Sequence, residues 1–569
     1  MKAEFRQALV TGCECLTAWA DLLDGINVFP IADGDTGRNL VISLSPLRRT
    51  GRNIADLKKD LLLSARGNSG NIAAAFFQSF IQGDSRETLP GAIRKGRDQA
   101  WQAVPDPRPG TMLTFFDTLA DLFDDPINFQ ILPEYLHPLQ DTVRDTINQQ
   151  PRLQQAGVVD AGALGMYLFF EGFLSAYAGS SLIIQPIMET FGDLVRISSS
   201  YRNEPENGYC VDTILKTGAD REQVEAMLAS LGESVVIARE ENCLKVHFHT
   251  DNREASRTCL SPFGEILGWA EDDLYRQTAD FNRPRKRGSI HIMTDAAGSL
   301  TRDEARTLDI TLLDSYITIG DQSLPETYVT PEALYGAMRS GIRVSTSQAS
   351  VFERHQHFAN VMGTYERVLY LCVGSAYTGN YQIAMDWKKD HDPDEHLAII
   401  DTGAASGRLA VIVLAVAAFT EKSHGAEDVV AFARNVIHLA EEYIFLDRLA
   451  YLAAGGRLSK TGAFFGDMLG MKPVVTPMVD GARKAGLCRS GKDQKVFALK
   501  ALSKSIDPGG KALIMLEYSD NPAWLESFAD QVKKLYTQAR ILVHPLSLTS
   551  GAHMGPGTWA VAFLPDFPE

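Results

Sequence analysis

Cysteine is scarce. Seven residues in a chain of 569, an odd number spread thinly, do not build a disulfide framework and point to a reducing, cytoplasmic setting. Long apolar runs are missing as well. The longest, Leu409 to Phe419, is too short to cross a bilayer, and the start Met1-Lys2-Ala3-Glu4-Phe5-Arg6 has neither a signal-peptide core nor a cleavage site. There is no low-complexity tract and no repeat of short period. Positive charge is in deficit: 55 Lys and Arg against 71 Asp and Glu leave a net charge of −16. That balance argues against nucleic acid as a partner and against whole-surface attraction to anionic lipid. The one dense basic run, Arg283–Gly288, reads as a linker. What remains is an ordinary globular composition, too long for a single core, so three or more domains are expected.

The stretch with most chemistry in it runs from Asn27 to Asn39, Asn-Val-Phe-Pro-Ile-Ala-Asp-Gly-Asp-Thr-Gly-Arg-Asn. Two carboxylates one residue apart on a Gly-containing turn, Asp33 and Asp35, can face one hard cation, and nearby Thr and Gly groups can meet phosphate oxygens. A solvated Asp-Gly turn is the plain alternative. A second polar turn, Ser64–Gly70, runs into the apolar Ile72–Phe77 and reads as a phosphate-facing loop at a helix N-terminus. Gly110-Thr111-Met112-Leu113-Thr114 opens another helix, and Val158-Val159-Asp160-Ala161-Gly162 precedes a third.

Along the chain, residues 1 to about 190 show helical periodicity in Phe5–Leu23, Ile72–Ile81, Thr114–Phe123 and Ala163–Ala178. Residues from about 195 to 285 form a small α+β unit. Strands are expected over Cys210–Leu215, Ser234–Ala238 and Leu244–Thr250, and helices over Arg221–Leu231 and, at the end, Glu265–Trp269. From Ser289 apolar strands ending in small polar residues alternate with helices, the marks of a parallel α/β sheet. On a strand, His247 and His249 share a face; with Cys210 on a neighbouring strand they could hold zinc, although paired packed histidines are the commoner case. The other six cysteines read as packing residues.

The four ordered N-terminal motifs resemble the kinase domain of the dihydroxyacetone kinase family, in the branch that serves as the kinase component of bacterial fatty acid kinase. The resemblance implies an all-α barrel of eight helices with ATP and magnesium at one end. The same component carries a Tyr-Cys and a Val-His-x-His-Thr-Asp strand in its middle domain. Here they stand as Tyr209-Cys210 and Val246–Asp251, which implies zinc on Cys210, His247 and His249. Residues 289–569 resemble the DegV family, the fatty-acid-binding components of that kinase. The motifs are Thr294-Asp295, Ser345–Ser350, Gly374–Tyr381, Gly455-Gly456-Arg457-Leu458-Ser459, Met471-Lys472-Pro473 and His553–Gly557. Departures are Ala296 for Ser, Thr378 for Ser, Asn380 for Thr and, in the kinase part, Ala163 for Gly. Ala296 and Asn380 bear on acyl-chain preference.

These resemblances imply a multidomain chain: a kinase domain over 1–192, a middle α+β domain over 193–286 and a C-terminal α/β DegV domain over 287–569. The implied activity is a fatty acid kinase converting a fatty acid held in its own DegV domain to acyl phosphate for phospholipid synthesis. In this reading Asp33, Asp35 and Asn27 hold magnesium, Thr36, Asn39, Ser69 and Gly70 bind phosphates, and Thr111, Met112 and Asp160 bound the nucleotide. Thr346, Ser347, Thr378 and Gly379 receive the carboxylate, with Arg457 and His553 on the charge of the acyl phosphate. An alkyl chain wants a dry tube, each buried methylene contributing about 0.8 kcal/mol. Fusion raises the effective concentration, provided the segment around Asn282–Gly288 permits docking. Expected partners are a fatty acid, acyltransferases, a transient membrane surface and a second copy in a homodimer. Two rivals stand beside this: a kinase of a small polar ketone or alcohol with a lipid-sensing domain, and a non-catalytic, nucleotide-gated fatty acid carrier.

Overall fold

A computed structural model describes residues 1–49, 51–123, 132–179, 186–283, 288–422, 425–448, 451 and 471–567. The chain divides into two compact units, Met1–Arg283 and Pro284–Glu569. The β-branched run Ser181–Ile184, most of the basic linker and the Gly455–Ser459 motif with Arg457 lie outside the described residues.

The first unit begins with a helical region. The apolar period over 5–23 is divided between two helices, Ala3–Ala18 and Ala20–Gly25, broken at Trp19. Helices Thr36–Leu44, Ile54–Ser64, Gly67–Phe80, Leu89–Ala103, Met112–Leu122, Leu132–Gln149 and Ala161–Tyr177 follow, with shorter turns between them. Ala161–Tyr177 is apolar on every side and buried from Ala161 to Ser175, as a helix at the centre of a bundle must be. Its own Phe170 and Phe173 pack ring against ring with Phe5, Phe76, Phe77 and Phe80 around it, and Phe76 stacks on Phe116 with centroids 4.0 Å apart.

The same unit continues into four antiparallel strands, β1 (Tyr209–Lys216), β2 (Glu233–Glu240), β3 (Cys243–Thr250) and β4 (Glu265–Asp273), ordered β2-β3-β1-β4. Here the sequence reading needs correction, because Glu265–Trp269 is strand and not helix. β4 pairs along the full length of β1, from Tyr209 opposite Asp273 to Lys216 opposite Glu265, and this long-range ladder overrides a local pattern that lacks clean alternation. One face of the sheet, carrying Val211, Leu244, Val246 and Phe248, packs on Val224, Leu228 and Leu260. Strand alternation therefore turns Cys210, Asp212, Lys245, His247 and His249 to the other face, and all five are buried there.

Among its described residues the second unit has three sheets. β5 (His291–Asp295), β6 (Ile310–Leu313), β10 (Val368–Cys372) and β11 (Leu397–Asp401) form a parallel sheet of order β11-β10-β5-β6. This is the expected α/β arrangement. β7 (Tyr316–Ile319), β8 (Gln322–Pro325) and β9 (Val344–Ser347) make a small antiparallel sheet. The remainder, β12 (Glu441–Phe445), β13 (Lys472–Met478), β14 (Gly481–Cys488), β15 (Ala512–Tyr518), β16 (Ala539–Pro545) and β17 (Trp559–Pro565), form a six-stranded sheet of order β14-β13-β12-β17-β15-β16. Among the described strands only its β15–β16 pair is parallel. The helix Ser406–Thr420 holds the longest apolar run of the chain. It shares one buried cluster with Ile292, Leu369 and Leu371 of the parallel sheet and with Leu513, Met515, Ala562 and Leu564 of the six-stranded one. The run is thus a core helix between two sheets. Among the described residues no helix is long and apolar enough to cross a membrane.

Candidate functional site

In the first unit the Asn27–Asn39 stretch is a loop feeding the helix Thr36–Leu44, with a cis Phe29–Pro30 bond and Gly34 at φ +67°. Asn27 donates from Nδ2 to Asp33 Oδ1 at 2.5 Å, and Gln277, from the helix Leu274–Phe281 after β4, reaches Asp35 Oδ2 at 3.4 Å. Burial and the neighbouring Asp35 carboxylate push the Asp33 carboxyl well above its usual range. Two carboxylates held together against their own repulsion are a donor set for a hard divalent cation, whose charge would reverse that shift. Asp33, Asp35 and Asn27 therefore fit magnesium.

One contributor was not read from the sequence. Asp24, buried in the helix Ala20–Gly25, accepts from the Gly37 and Arg38 amides at 2.7 and 3.1 Å and so fixes the first turn that follows Asp35. Its only local signal is an acid thirteen residues before the turn that it caps. Thr36 Oγ1 lies 3.5 Å from Ser69 Oγ, which joins the first loop to the N-terminal turn of the helix Gly67–Phe80. Asn39 lies against Gly67, and its buried Oδ1 has no partner. The sequence-predicted phosphate residues Thr36, Asn39, Ser69 and Gly70 are thus brought to one place, with Ser43 and Asn39 beside Gly70.

Thr111 is the N-cap of the helix Met112–Leu122, its hydroxyl accepting from Leu113 N at 3.3 Å. Asp160 caps the helix Ala161–Tyr177, accepting from Ala163 N at 2.7 Å. Met112 touches the place where a Cβ on Gly162 would stand, so these two helix starts form a second group. Burial pushes the Asp160 carboxyl up to about 7 against an ordinary 3.8. A raised folded value means that the stability this group contributes is full below about pH 4 and is lost as the pH rises through 7. Asp160→Asn keeps the cap acceptor and removes the charge. It is expected to raise the melting temperature by a few degrees at about pH 8 and to leave it unchanged near pH 4. Melting curves at both values check this; an equal shift at both would show that the charge is not responsible.

The buried face of the sheet carries a second candidate centre. Cys210, His247 and His249 are all buried, and their ligand atoms lie within 4.8 Å of one another. Cys210 Sγ is 4.0 Å from His247 Nδ1, while His247 Nε2 and His249 Nδ1 are buried without a hydrogen-bond partner. Burial and the carboxylates of Asp212, Asp35 and Asp33 hold the Cys210 thiol well above its usual range, and burial together with His247 lowers His249 to about 3. Thiolate and neutral imidazoles in a closed pocket fit zinc, which would satisfy the two orphaned nitrogens. Arg66, just ahead of Gly67, reaches Asp272 on β4 at 2.8 Å.

In the second unit Asp295 is a hub. It accepts from Tyr370 OH at 3.0 Å, from Val373 N at 2.7 Å and from Asn380 Nδ2 at 2.6 Å, and burial still keeps its carboxyl above the ordinary value. Gln348 Nε2 donates to Asn380 Oδ1 at 3.2 Å, so the segments around Asp295, Ser345–Ser350 and Gly374–Tyr381 are tied together. The Asn at 380 is therefore the tie between two of them. Thr346 Oγ1 lies 3.0 Å from His553 Nε2, which brings in the C-terminal motif. Thr378 accepts from Asn380 N at 3.2 Å, and Gly379 precedes the helix Asn380–His391. Ser347 ends β9 with its side chain exposed. Lys472 pairs with Asp447, and the place of a Cβ on Gly557 is 3.0 Å from Asp447 Cβ.

Comparison with known proteins follows this division. Family models match residues 30–175 as a DAK2 domain, 206–280 as the FakA-like middle domain of fatty acid kinase and 289–566 as the DegV family. Among curated relatives, a Staphylococcus saprophyticus protein described as uncharacterized is 26% identical over 323 residues, 51% of this chain and 58% of the relative. One from Staphylococcus haemolyticus is 26% identical over 314 residues, 50% of this chain and 56% of the relative. The chain thus spans a little over half the length of the curated relatives it matches. A solved DegV family protein from Thermus thermophilus, titled for fatty acid binding, is 23% identical with a TM-score of 0.45, covering 49% of this chain and 99% of its own. DegV of Bacillus subtilis, titled a fatty acid binding protein, is 17% identical with a TM-score of 0.44 over 49% and 99% of the two chains. The chain accordingly joins a DAK2 domain, a FakA-like middle domain and a C-terminal DegV-family domain in one polypeptide.

Proposed function

We propose that the protein is a fatty acid kinase that transfers the γ-phosphoryl group of ATP to a fatty acid carboxylate held by its own DegV domain. The observation that carries the reading is the meeting of Asn27, Asp33 and Asp35 with Thr36, Ser69 and the helix start at Gly67, in a chain that also holds a DegV domain. In this reading residues 1–192 are an eight-helix kinase barrel, 193–286 the middle domain and 287–569 the lipid-binding domain.

Magnesium on Asp33 and Asp35, with Asn27 beside them, would neutralise charge on the β- and γ-phosphates. Zinc on Cys210, His247 and His249 would organise the middle domain. Thr36, Asn39, Ser69 and Gly70 hold phosphate oxygens, and Thr111, Met112 and Asp160 bound the nucleotide. The acceptor carboxylate is ionised at neutral pH, so no general base is needed, and catalysis reduces to positioning and charge neutralisation. Thr346, Ser347, Thr378 and Gly379 orient that carboxylate, while Arg457 and His553 offset the charge of the acyl phosphate. Acyltransferases that consume acyl phosphate, a membrane surface that supplies the fatty acid and a second copy of the chain are the partners this activity calls for.

The test is native and denaturing mass spectrometry of the purified protein before and after magnesium-ATP. A co-purifying fatty acid that gains one phosphoryl group supports the reading. A bound fatty acid left unchanged while nucleotide binds would favour a nucleotide-gated carrier. Absence of lipid would favour a kinase of a small ketone or alcohol.

A finer expectation concerns Thr346. Thr346→Val removes the hydroxyl beside His553 while keeping the branched shape, and fatty acid binding is expected to weaken roughly tenfold. Displacement of a fluorescent fatty acid measures this. An unchanged dissociation constant would remove Thr346 from the carboxylate site.

A further inference from the structure

On the buried face of the middle sheet, Asp212 stands between the metal-ligand triad and the helix that begins at Gly67. It lies on β1, two residues from Cys210 and directly opposite His247 on β3. Both carboxylate oxygens are engaged. Oδ2 accepts from the Gly67 amide at 2.9 Å, and Oδ1 accepts from Asn71 Nδ2 at 2.9 Å. His247 Nδ1 is 3.5 Å from Oδ2 and Lys245 Nζ is 3.5 Å from Oδ1. The lysine balances the charge, and the whole group is buried. A histidine that ligates a metal through one ring nitrogen is commonly held through the other by a carboxylate. Here Nδ1 faces the carboxylate at 3.5 Å and Cys210 Sγ at 4.0 Å, and the nitrogen without a protein partner is Nε2.

The consequence for the helix is specific. The first amides of a helix have no partner within it. At Gly67–Phe80 one of them is claimed by a protein carboxylate rather than left to a ligand, and Asn71, one turn further on, is held by the other oxygen of the same group. The aim of the remaining amides of that turn, at Asn68 and Ser69, therefore follows the orientation of Asp212. That orientation follows His247, whose ring is fixed once its other nitrogen is ligated.

We propose that Asp212 is a positioning residue that couples the Cys210–His247–His249 centre to the first turn of the helix Gly67–Phe80, so that an ion in the centre sets how that turn meets phosphate. The inference rests on the proposed reading of that turn as phosphate-binding. Its readout needs no turnover. Hydrogen–deuterium exchange of the full chain is followed over residues 64–72, with zinc content measured in parallel and ADP affinity measured by calorimetry with magnesium. Removal of zinc by a chelator and Asp212→Ala are each expected to raise exchange over 66–71 and to weaken ADP binding by roughly tenfold, with the helix Ala3–Ala18 unchanged. The two effects should not add, because they act through one link. Asp212→Asn keeps an acceptor for Gly67 and should fall between. Asn71→Ser, which breaks only one of the two ties, gives a second route if Asp212→Ala does not fold.

Stoichiometric zinc whose removal leaves exchange over 66–71 unchanged would overturn the coupling. So would an Asp212→Ala protein that responds to zinc removal as fully as the wild type, or a wild-type protein that retains no zinc. Zinc-dependent exchange in a protein that makes no acyl phosphate would instead uphold the coupling and overturn the kinase reading alone.

Discussion

Converting Asp33 and Asp35 together to asparagine is expected to lower ATP-dependent acyl phosphate formation by about a thousandfold or more. The same change should make the metal-free protein more stable, not less. In the wild type the Asp33 carboxyl is raised by burial and by Asp35, so its contribution to stability is present in acid and is lost as the pH climbs past the folded value. Two neutral amides of similar shape remove this penalty. Asn27, which now donates to Asp33, still finds an amide oxygen to accept. The expected signature is a crossover. Magnesium raises the melting temperature of the wild type but not of the variant, while in chelator the variant melts a few degrees higher. Near-normal turnover in a well-folded double variant would remove these carboxylates from the metal site.

Gly37→Ala should also damage the protein, chiefly through stability and for a different reason. A Cβ at this position would stand 2.1 Å from the Ala20 carbonyl oxygen and within 2.8 Å of the Ala20 Cα. These are backbone atoms of the helix Ala20–Gly25, which cannot rotate away as a side chain does. The two helices must part, and Asp24, which clamps the Gly37 and Arg38 amides, loses its grip on the turn that follows Asp35. The expected cost is about 3 kcal/mol of stability, at the upper end for an overpacked site. Acyl phosphate formation should fall by at least roughly tenfold, since small displacements of positioned groups are costly in phosphoryl transfer. Chemical denaturation and a phosphorylation assay read the two effects. A variant with wild-type stability would show that the close approach of the two helices does not constrain this position.

Gly37 also shows where the sequence speaks and where it does not. Its place within the Asp-Gly-Asp-Thr-Gly loop suggests a backbone that approaches a phosphate, yet its lack of a side chain answers first to Ala20. The chemistry of the loop was legible because two carboxylates one residue apart are a local pattern, and the pairing of His247 with His249 because strand alternation is local too. Asp212 could have been read by the same rule, two residues after Cys210 and on the same face. Asp24 could not, since nothing near it in the chain tells a helix-embedded acid that caps another helix from one in solvent. The strand Glu265–Asp273 departs from the helix expected over Glu265–Trp269 for a related reason, since its partner β1 lies some fifty residues earlier and supplies the order that its own pattern lacks. The six-stranded sheet, in which Glu441–Phe445 pairs with Trp559–Phe563, is equally a product of distant contacts.

The buried polar face of the middle sheet has a bearing on how the first unit folds. Asp212, Lys245, His247 and His249 cannot face water and remain as they are, and beside them Val236 packs with Ala75 and Ala103, and Cys210 with Ile31 and Leu274. Cutting the chain at residue 192 would therefore expose a desolvated seam. Neither side has a finished surface there. The helical region and the sheet should melt in one cooperative transition, and a fragment ending at residue 192 should be prone to associate through the helix Gly67–Phe80. A chain that can lose its sheet only by losing its helices has, in effect, made the middle sheet part of the helical region's own foldon.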